Sequence, residues 1–475
     1  MSQMLKLEGG SLTENVVVDK RYTAQSDLEN DISTQSAELV RYSVVGNVNS
    51  NQLEFQVEPS ASGYIDLKNS YIASQVRILK GGTTPVTGAD NSMPKAFTSL
   101  LQWSDIKTYI NDVEVSDENS GLYAYTAWVK TALEQSNLAS ANFAEIPGSS
   151  SQGPRLIQSS DPRSTEGIVL PDSQKLSGGE QSMISVYMRA KYFSQIGTDG
   201  GYYDVKTSPK DAIWQQPDYL PPNCRLRLVL TKNADAQVIE DFNATVTNNT
   251  LDYNSCFLFL KKVYPTPSMQ TIAKQVQMDR GMLYTLLRAR TAQVAFNTSQ
   301  GTLTANGLLA SQNPSLVVVG FYNDFDTARA YKNHAYNSNI NFFTSLYIRV
   351  GGERIPANFD YERNSATSTA GSLIDYNEYL HACKASSLNN TLSDNDKPLI
   401  SYEAYRSLSF YVFRCKRNLS TTYGQDDSSN VNGAIDVYAR FTPQAVGNQA
   451  RMIVIGLSHD QVMIDKHGKV TRLGW

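Results

Sequence analysis

The residues that could carry chemistry are few and scattered. Four histidines (His334, His381, His459, His467) and four cysteines (Cys224, Cys256, Cys383, Cys415) are spread over 475 residues. Metal ligation needs His, Cys or carboxylate groups converging at helix or turn spacing. The chain holds no H-x-x-x-H, C-x-x-C or HExxH. His381 and Cys383 come nearest, but side chains two apart on a helix point in different directions. They read as a core cysteine beside a surface histidine. No G-x-S-x-G elbow presents a serine nucleophile. The glycine pairs at 9–10, 81–82, 178–179, 200–201 and 351–352 complete no phosphate-binding loop and make sense as turns.

Carboxylate pairs come next, since a large β-protein could cleave glycosides with two acids facing each other across a cleft. Asp117-Glu118, Asp324 with Asp326, Asp394 with Asp396, and Asp426-Asp427 are the candidates. Each sits among Asn, Ser and Gly, where aspartate builds turns by bonding its own backbone. The basic clusters are small: Lys261-Lys262, Arg288 with Arg290, and Arg414, Lys416 and Arg417. Arg225 and Arg227 alternate on one strand face. These read as solvated or intersubunit surfaces, with a weak attraction to nucleic acid at Arg414–Arg417. No residue emerges as catalytic, cofactor-binding or metal-binding.

The composition argues the same way. Lys plus Arg is 42 against 46 for Asp plus Glu, a net charge of −4. Gripping phosphate backbones takes clustered excess basic charge. Hydrophobic residues make up 41%, enough for sizeable cores, and charged residues only 19%, below the usual quarter or so. With 27 tyrosines, a polar, uncharged and aromatic surface is that of an interface-former. The first twenty residues contain no apolar signal core, and no stretch approaches the ~18 apolar residues of a membrane span. The four cysteines are too few and too dispersed for a disulfide scaffold, so all four are expected as free thiols of a reducing compartment. The N-x-Ser/Thr sequences at Asn243, Asn248, Asn297, Asn389 and Asn418 read as chance in an Asn-rich chain.

The elements that would position such residues are mostly strands. Residues 1–35 are polar, acidic and aperiodic, and read as an N-terminal arm with few contacts inside its own domain. Leu53–Glu58 alternates apolar and polar; Tyr64–Lys80 follows. Ile106–Ile110 and Val113–Val115 flank an Asn111-Asp112 hairpin turn. Tyr123–Leu133 places Tyr125, Trp128, Val129 and Ala132 on one helical face. A Ser/Gly/Pro/Asn-rich stretch, 136–180, reads as a long loop, followed by strands at Met183–Met188, Leu226–Leu230 and 253–264, ended by Pro265 and Pro267. A second series follows: Leu286–Phe296, Ser315–Phe321, Phe343–Val350 with a Gly351-Gly352 turn, a short helix over Ile374–Ala385, then strands at Leu408–Phe413, Ala434–Phe441 and Arg451–Leu457.

The two series match in order, offset by roughly 200–250 residues, which is duplication of architecture rather than a short tandem repeat. Many short strands, one helix per half and long loops predict an all-β protein: two consecutive eight-stranded jelly-roll sandwiches over 36–264 and 278–475, joined by a linker at 265–277. Leu226, Leu228 and Leu230 should be buried together, as should Ile435, Val437 and Phe441.

The segment SLLQWSDIKTYINDVEVSDENSGLYAYTAWVKTAL (99–133), with Ile110-Asn111 and then Tyr123-Ala124-Tyr125, resembles a region of the double jelly-roll major capsid proteins of Polinton/Maverick elements, adintoviruses, Polinton-like viruses and virophages, in the adenovirus–tectivirus lineage. LPPNCRLRLVLTKN (220–233), FLFLKKVYPTPSM (257–269) and SLVVVGFYNDFDTARAYKNHAYNSNINFFTSLYIRVGGERIP (315–356) resemble further segments in the same order. The likeness spans roughly residues 50–457. Where the family reads Tyr-Lys-Lys-Asn-Pro-Phe, this chain has Tyr331-Lys332-Asn333-His334-Ala335-Tyr336, and the 136–180 loop has no counterpart.

The resemblance implies a major capsid protein without enzymatic activity or cofactor. Its chains would form homotrimeric, pseudo-hexagonal capsomers tiling an icosahedral shell around double-stranded DNA. Its partners would be other copies of itself, penton and minor capsid proteins, with at most weak contact with packaged DNA. Its place would be the virion capsid, assembled inside the host cell in cytoplasm or nucleus, with the arm reaching the capsid floor or a neighbouring subunit. The competing readings are a carbohydrate-binding or carbohydrate-active β-sandwich and a secreted adhesin. The absence of a clustered acid/base or metal motif counts against the first, and the missing signal peptide against the second.

Overall fold

In the computed structural model the described residues are 34–60, 62–86, 92–95, 98–133, 201–241, 248–310, 313–323, 343–362, 372–386, 410–415, 433–443 and 449–473. The strands of the first half are β1 (Thr34–Ser43), β2 (Gln52–Val57), β3 (Tyr64–Lys80), β4 (Thr84–Pro85), β5 (Ser92–Pro94), β6 (Trp103–Ile110), β7 (Val113–Glu114), β8 (Tyr203–Thr207), β9 (Leu226–Lys232), β10 (Ile239–Asp241) and β11 (Thr250–Pro265). Its helices are α1 (Thr98–Leu101), α2 (Tyr123–Leu133), α3 (Ala212–Gln215) and α4 (Asp235–Val238). Then come α5 (Pro267–Arg280), β12 (Met282–Asn297), β13 (Thr302–Leu308), β14 (Leu316–Asn323), β15 (Phe343–Val350), β16 (Glu353–Ile355), α6 (Ser372–Ser386), β17 (Phe410–Arg414), β18 (Ile435–Phe441), β19 (Gln449–Ile464) and β20 (Val470–Arg472). No helix among them is long and apolar enough to cross a membrane.

Strand order exposes the duplication. One sheet of the first half runs β1-β11-β3, with β8 and β4 on the far edge of β3, and the other runs β2-β9-β6-β7. In the second half the orders are β12-β19-β14-β17 and β13-β18-β15-β16. Replacing each strand of β1-β11-β3-β8 and β2-β9-β6-β7 by its counterpart gives the second pair of sheets, and every named pairing is antiparallel. The chain is a double jelly roll. Its minor additions are the β5–β10 pair and β20, which pairs with the far end of β19.

Local chemistry explains the hairpins. Asn111 and Asp112 adopt φ of 47° and 66°, the left-handed pair of a two-residue turn whose twist matches the flanking strands β6 and β7. Gly351 and Gly352, at 57° and 90°, do the same between β15 and β16.

Three expectations need correction. The predicted arm runs too far, because Thr34 and Gln35 already belong to β1; residues 1–33 lie outside the described residues, as do 136–180 and the expected strand Met183–Met188. β1 is exposed on both faces over most of its length, so it has no apolar alternation to detect. The predicted linker contains a helix, α5, with Pro267 in its first turn and Gly281 closing it at φ 71°. Nearly every α5 side chain is exposed, so no apolar stripe marks it. Finally, Leu53–Glu58 and Leu286–Phe296 are not equivalent strands: β2 matches β13, and β12 matches β1.

The cores fall where the alternation places them. Leu226, Leu228 and Leu230 are fully buried with Leu53, Phe55 and Ile106; Ile435, Val437 and Phe441 are buried with Val317, Val319 and Phe343. The four cysteines are buried and free. Cys256 faces the first core, where burial pushes its thiol up to about 12. Cys256→Ser should cost about 1–3 kcal/mol in urea denaturation, because the smaller, more polar hydroxyl loses apolar contact and finds no matched partner. An unchanged midpoint would place the side chain outside the core.

Candidate functional site: the seam between the sandwiches

The second half holds one sheet that is buried on both faces. On β14, Val317, Val319 and Phe321 point into the second sandwich, whereas Leu316 and Val318 point the other way, into a core continuous with the first half. β17 divides likewise, with Tyr411 and Phe413 inward and Phe410 and Val412 outward; on β19, Met452 and Val454 face inward and Ile453, Ile455 and Leu457 outward. A strand covered on both faces reads as an unbroken apolar run. That is why LVVVGF, FYVF and MIVIGL lack the alternation seen in β18.

Helix α2 supplies the covering surface. Tyr125 and Trp128 lie one turn apart, ring centroids 5.6 Å from each other. Trp128 meets Phe410 edge-on at 5.4 Å, and Tyr125 lies 6.5 Å from Tyr322. The Tyr125 hydroxyl sits directly over Gly320, where a Cβ would come within 1.6 Å of its oxygen. Glycine at 320 is therefore a packing requirement of the seam. α6 closes the far side: Tyr379 packs 6.0 Å from Phe410, and Arg414 makes a bidentate contact with Glu378 at 2.5 and 3.0 Å.

Beside this aromatic patch runs a charged clamp. The segment 116–119 lies along β12, with Glu118 N–H donating to the Ala289 carbonyl at 3.0 Å and Thr291 N–H to the Glu118 carbonyl at 3.0 Å. Arg288, 3% exposed, donates from Nε to the Ser116 carbonyl at 3.0 Å and from Nη1 to Asp460 at 3.1 Å; its Nη2 lies 3.2 Å from Glu118, an ion-pair contact without hydrogen-bond alignment. Glu118 also meets Arg290 at 2.8 Å and Arg472 at 3.4 Å. Asp117 pairs with Lys130 of α2 and accepts the Ala289 N–H at 3.1 Å.

Two of the groups singled out from sequence thus converge: Asp117-Glu118 and Arg288 with Arg290 face each other as a structural clamp between halves. Lys130, Asp460 and Arg472, which complete it, carried no sequence signal beyond their charge. The other candidates disperse. Lys261 pairs with Asp66 at 3.1 Å, and the Lys262 ammonium lies 5.7 Å from the Tyr42 ring. Arg227 stacks over Tyr109 at 4.2 Å and reaches Glu54 at 3.9 Å; Arg225 lies 3.5 Å from Glu58. Arg414 is committed to Glu378, against the suggested attraction to nucleic acid there. His381 and His467 are exposed, and His459 meets the Ser315 hydroxyl at 3.2 Å. Asn248 is exposed and Asn297 half-buried. Asp324, Asp326, Asp394, Asp396, Asp426, Asp427, His334, Lys416, Arg417, Asn243, Asn389 and Asn418 lie outside the described residues. No group of three or more His, Cys, Asp or Glu among the described residues could hold a metal ion.

One buried acid near the clamp titrates abnormally. Burial, and then the charge of Asp117, pushes the Asp211 carboxyl well above the usual range, while Lys130 pulls it the other way. Its Oδ2 has no hydrogen-bond partner, and Oδ1 receives only a 3.4 Å bond from Asn119. A raised folded-state pKa means that the folded chain holds this proton more firmly than the unfolded one. The resulting stability is complete below the unfolded pKa of about 3.9 and is lost as pH climbs toward the folded value. Asp211→Asn cannot ionise, so its melting temperature relative to the parent should rise steadily above about pH 4. A difference that is flat between pH 4 and 8 would refute the assignment.

No family model and no curated protein sequence matches the chain. Solved structures do. The chain superimposes on a chain of the Sputnik virophage structure with a TM-score of 0.57 at 12% identity, covering 100% of this chain and 92% of that one. The mavirus major capsid protein gives 0.53 at 12%, covering 98% and 97%. The PBCV-1 virus capsid gives 0.53 at 8%, covering 93% and 97%. The likeness runs through both sandwiches and the seam, and the double jelly roll described above is the fold these virophage and large-virus capsid chains share.

Proposed function

We propose that this chain is a major capsid protein with no enzymatic activity, built as two jelly-roll domains that meet at α5. Three copies form a pseudo-hexagonal capsomer, and capsomers tile an icosahedral shell around double-stranded DNA. The shell is assembled in the host cell, with penton and minor capsid proteins completing it. The observation that carries this reading is the end-to-end match, both sandwiches included, to capsid chains of two virophages and PBCV-1. The seam adds physical support. A doubled sandwich makes a threefold assembly nearly sixfold only if its halves keep a fixed angle, and the clamp with its aromatic packing fixes it.

Weighing the purified protein in solution tests the reading. A particle of three times the 52.6 kDa chain mass supports it. A stable monomer at micromolar concentration overturns it, and glycan binding by that monomer would favour the carbohydrate-binding alternative.

A further inference from the structure

The duplication leaves one face unmatched. In the second half the outer face of β12-β19-β14-β17 is covered by α2 and the 116–119 segment of the first half. Its topological equivalent in the first half, the outer face of β1-β11-β3-β8, has no such cover. That face is aromatic and cationic. Tyr71 stacks on Phe259 at 5.1 Å, Phe257 meets Phe259 edge-on at 6.5 Å, and Arg41 and Lys206 lie over Phe257 and Tyr71 at 4.7 and 4.5 Å. All three rings are half-buried, and Arg41 and Lys206 are exposed, without an ion-pair partner among the described residues. Leu39, beside them on β1, is 53% exposed.

The complement lies on the same chain. The second-half counterparts of α2 and the 116–119 segment are α6 and the stretch after β16, and both expose apolar side chains: Ile374 is 48% exposed and Phe359 is 43% exposed. Glu353 and Glu362 flank Phe359, both exposed and without an ion-pair partner among the described residues. Exposed apolar groups with acids thus stand on the elements equivalent to those that bury Tyr125 and Trp128 at the seam.

The geometry points to a second copy of this chain as the occupant: its Phe359–Glu362 stretch and α6 dock on the outer face of β1-β11-β3-β8, reproducing between chains the seam that exists within each. Such a contact is head-to-tail and closes into a ring when each sandwich turns by a sixth of a circle. The inference rests on the trimer reading above and names its interface.

Native mass spectrometry of two variants tests it. Phe259→Glu and Phe359→Glu each spoil one side of the same contact. Each should be monomeric, with the circular dichroism of the parent. Mixed, they should form heterodimers and no trimers, because only one intact pair of faces remains. A trimeric parent with a trimeric Phe259→Glu variant overturns the interface and leaves the trimer standing, whereas a monomeric parent overturns the trimer itself. Should either variant misfold, Lys206→Cys combined with Phe359→Cys provides an independent readout, since the native cysteines are buried. Oxidation should give chains covalently linked to one another on a denaturing gel; monomers alone would overturn the proposal.

Discussion

Gly320→Ala will destabilise the chain by about 1–3 kcal/mol or more, although alanine has the higher strand propensity and φ at 320 is ordinary. The cause is space. A Cβ at 320 would lie 1.6 Å from the Tyr125 oxygen and 2.7 Å from the ring carbon bearing it. Tyr125 cannot swing aside, because its ring is 2% exposed and wedged between Trp128 and Tyr322. Relief must come from α2 lifting away from β14, which opens the apolar seam. Tyr125→Phe in the same chain removes the oxygen but leaves the ring carbon, so the double variant should regain part of the loss and not all of it. Urea denaturation of parent, single and double variants reads both values. A Gly320→Ala protein as stable as the parent would mean that the helix sits farther from the sheet than described.

How far the sequence foretold this arrangement depends on which faces each element buries. β3, β15 and α2 were legible to the residue, because each alternates or repeats with one face in a core and a turn or cap beyond it. β1 and α5 were invisible for the opposite reason, both being exposed nearly all round. β13, with Gly307 and a register shift after Ala305, lacked a clean period. The runs of β14, β17 and β19 were read as strands, but their continuity also carried the message that this sheet is covered twice.

The seam itself was half legible. Asp117-Glu118 and Arg288 with Arg290 stood out as charge pairs, yet spacing gives no distance between groups more than 170 residues apart. Turn-building was the bland reading of the acids and a solvated face that of the arginines. Both fail because the elements carrying them meet across the seam. Gly320 had no signal at all: a glycine inside an apolar run hints at a close approach, but only the fold names Tyr125 as what approaches.

The clamp makes the sharper prediction. Arg288→Met keeps most of the bulk and removes the charge, and should cost about 3–5 kcal/mol. The loss comes less from the missing attraction than from what is left behind. Asp460, whose side chain is only 10% exposed, keeps its charge without a counter-ion, and the Ser116 carbonyl loses its donor. Lysine at 288 should not rescue, since one ammonium cannot reproduce a planar fork that reaches Ser116, Asp460 and Glu118 in three directions. Adding Asp460→Asn to Arg288→Met removes the stranded charge while keeping an acceptor for the Gln461 N–H, which Asp460 Oδ1 now receives at 2.8 Å. The double variant should therefore be more stable than Arg288→Met alone, with a coupling energy of roughly 1–3 kcal/mol in the cycle. Additive losses, or an Arg288→Met cost below about 0.5 kcal/mol, the scale of an ordinary surface change, would show that the two halves are held by the aromatic patch alone. With coupling as expected, the same variant should assemble poorly even at temperatures where it stays folded, because a slackened seam no longer presents the second sandwich at the angle that a closed ring of three chains demands.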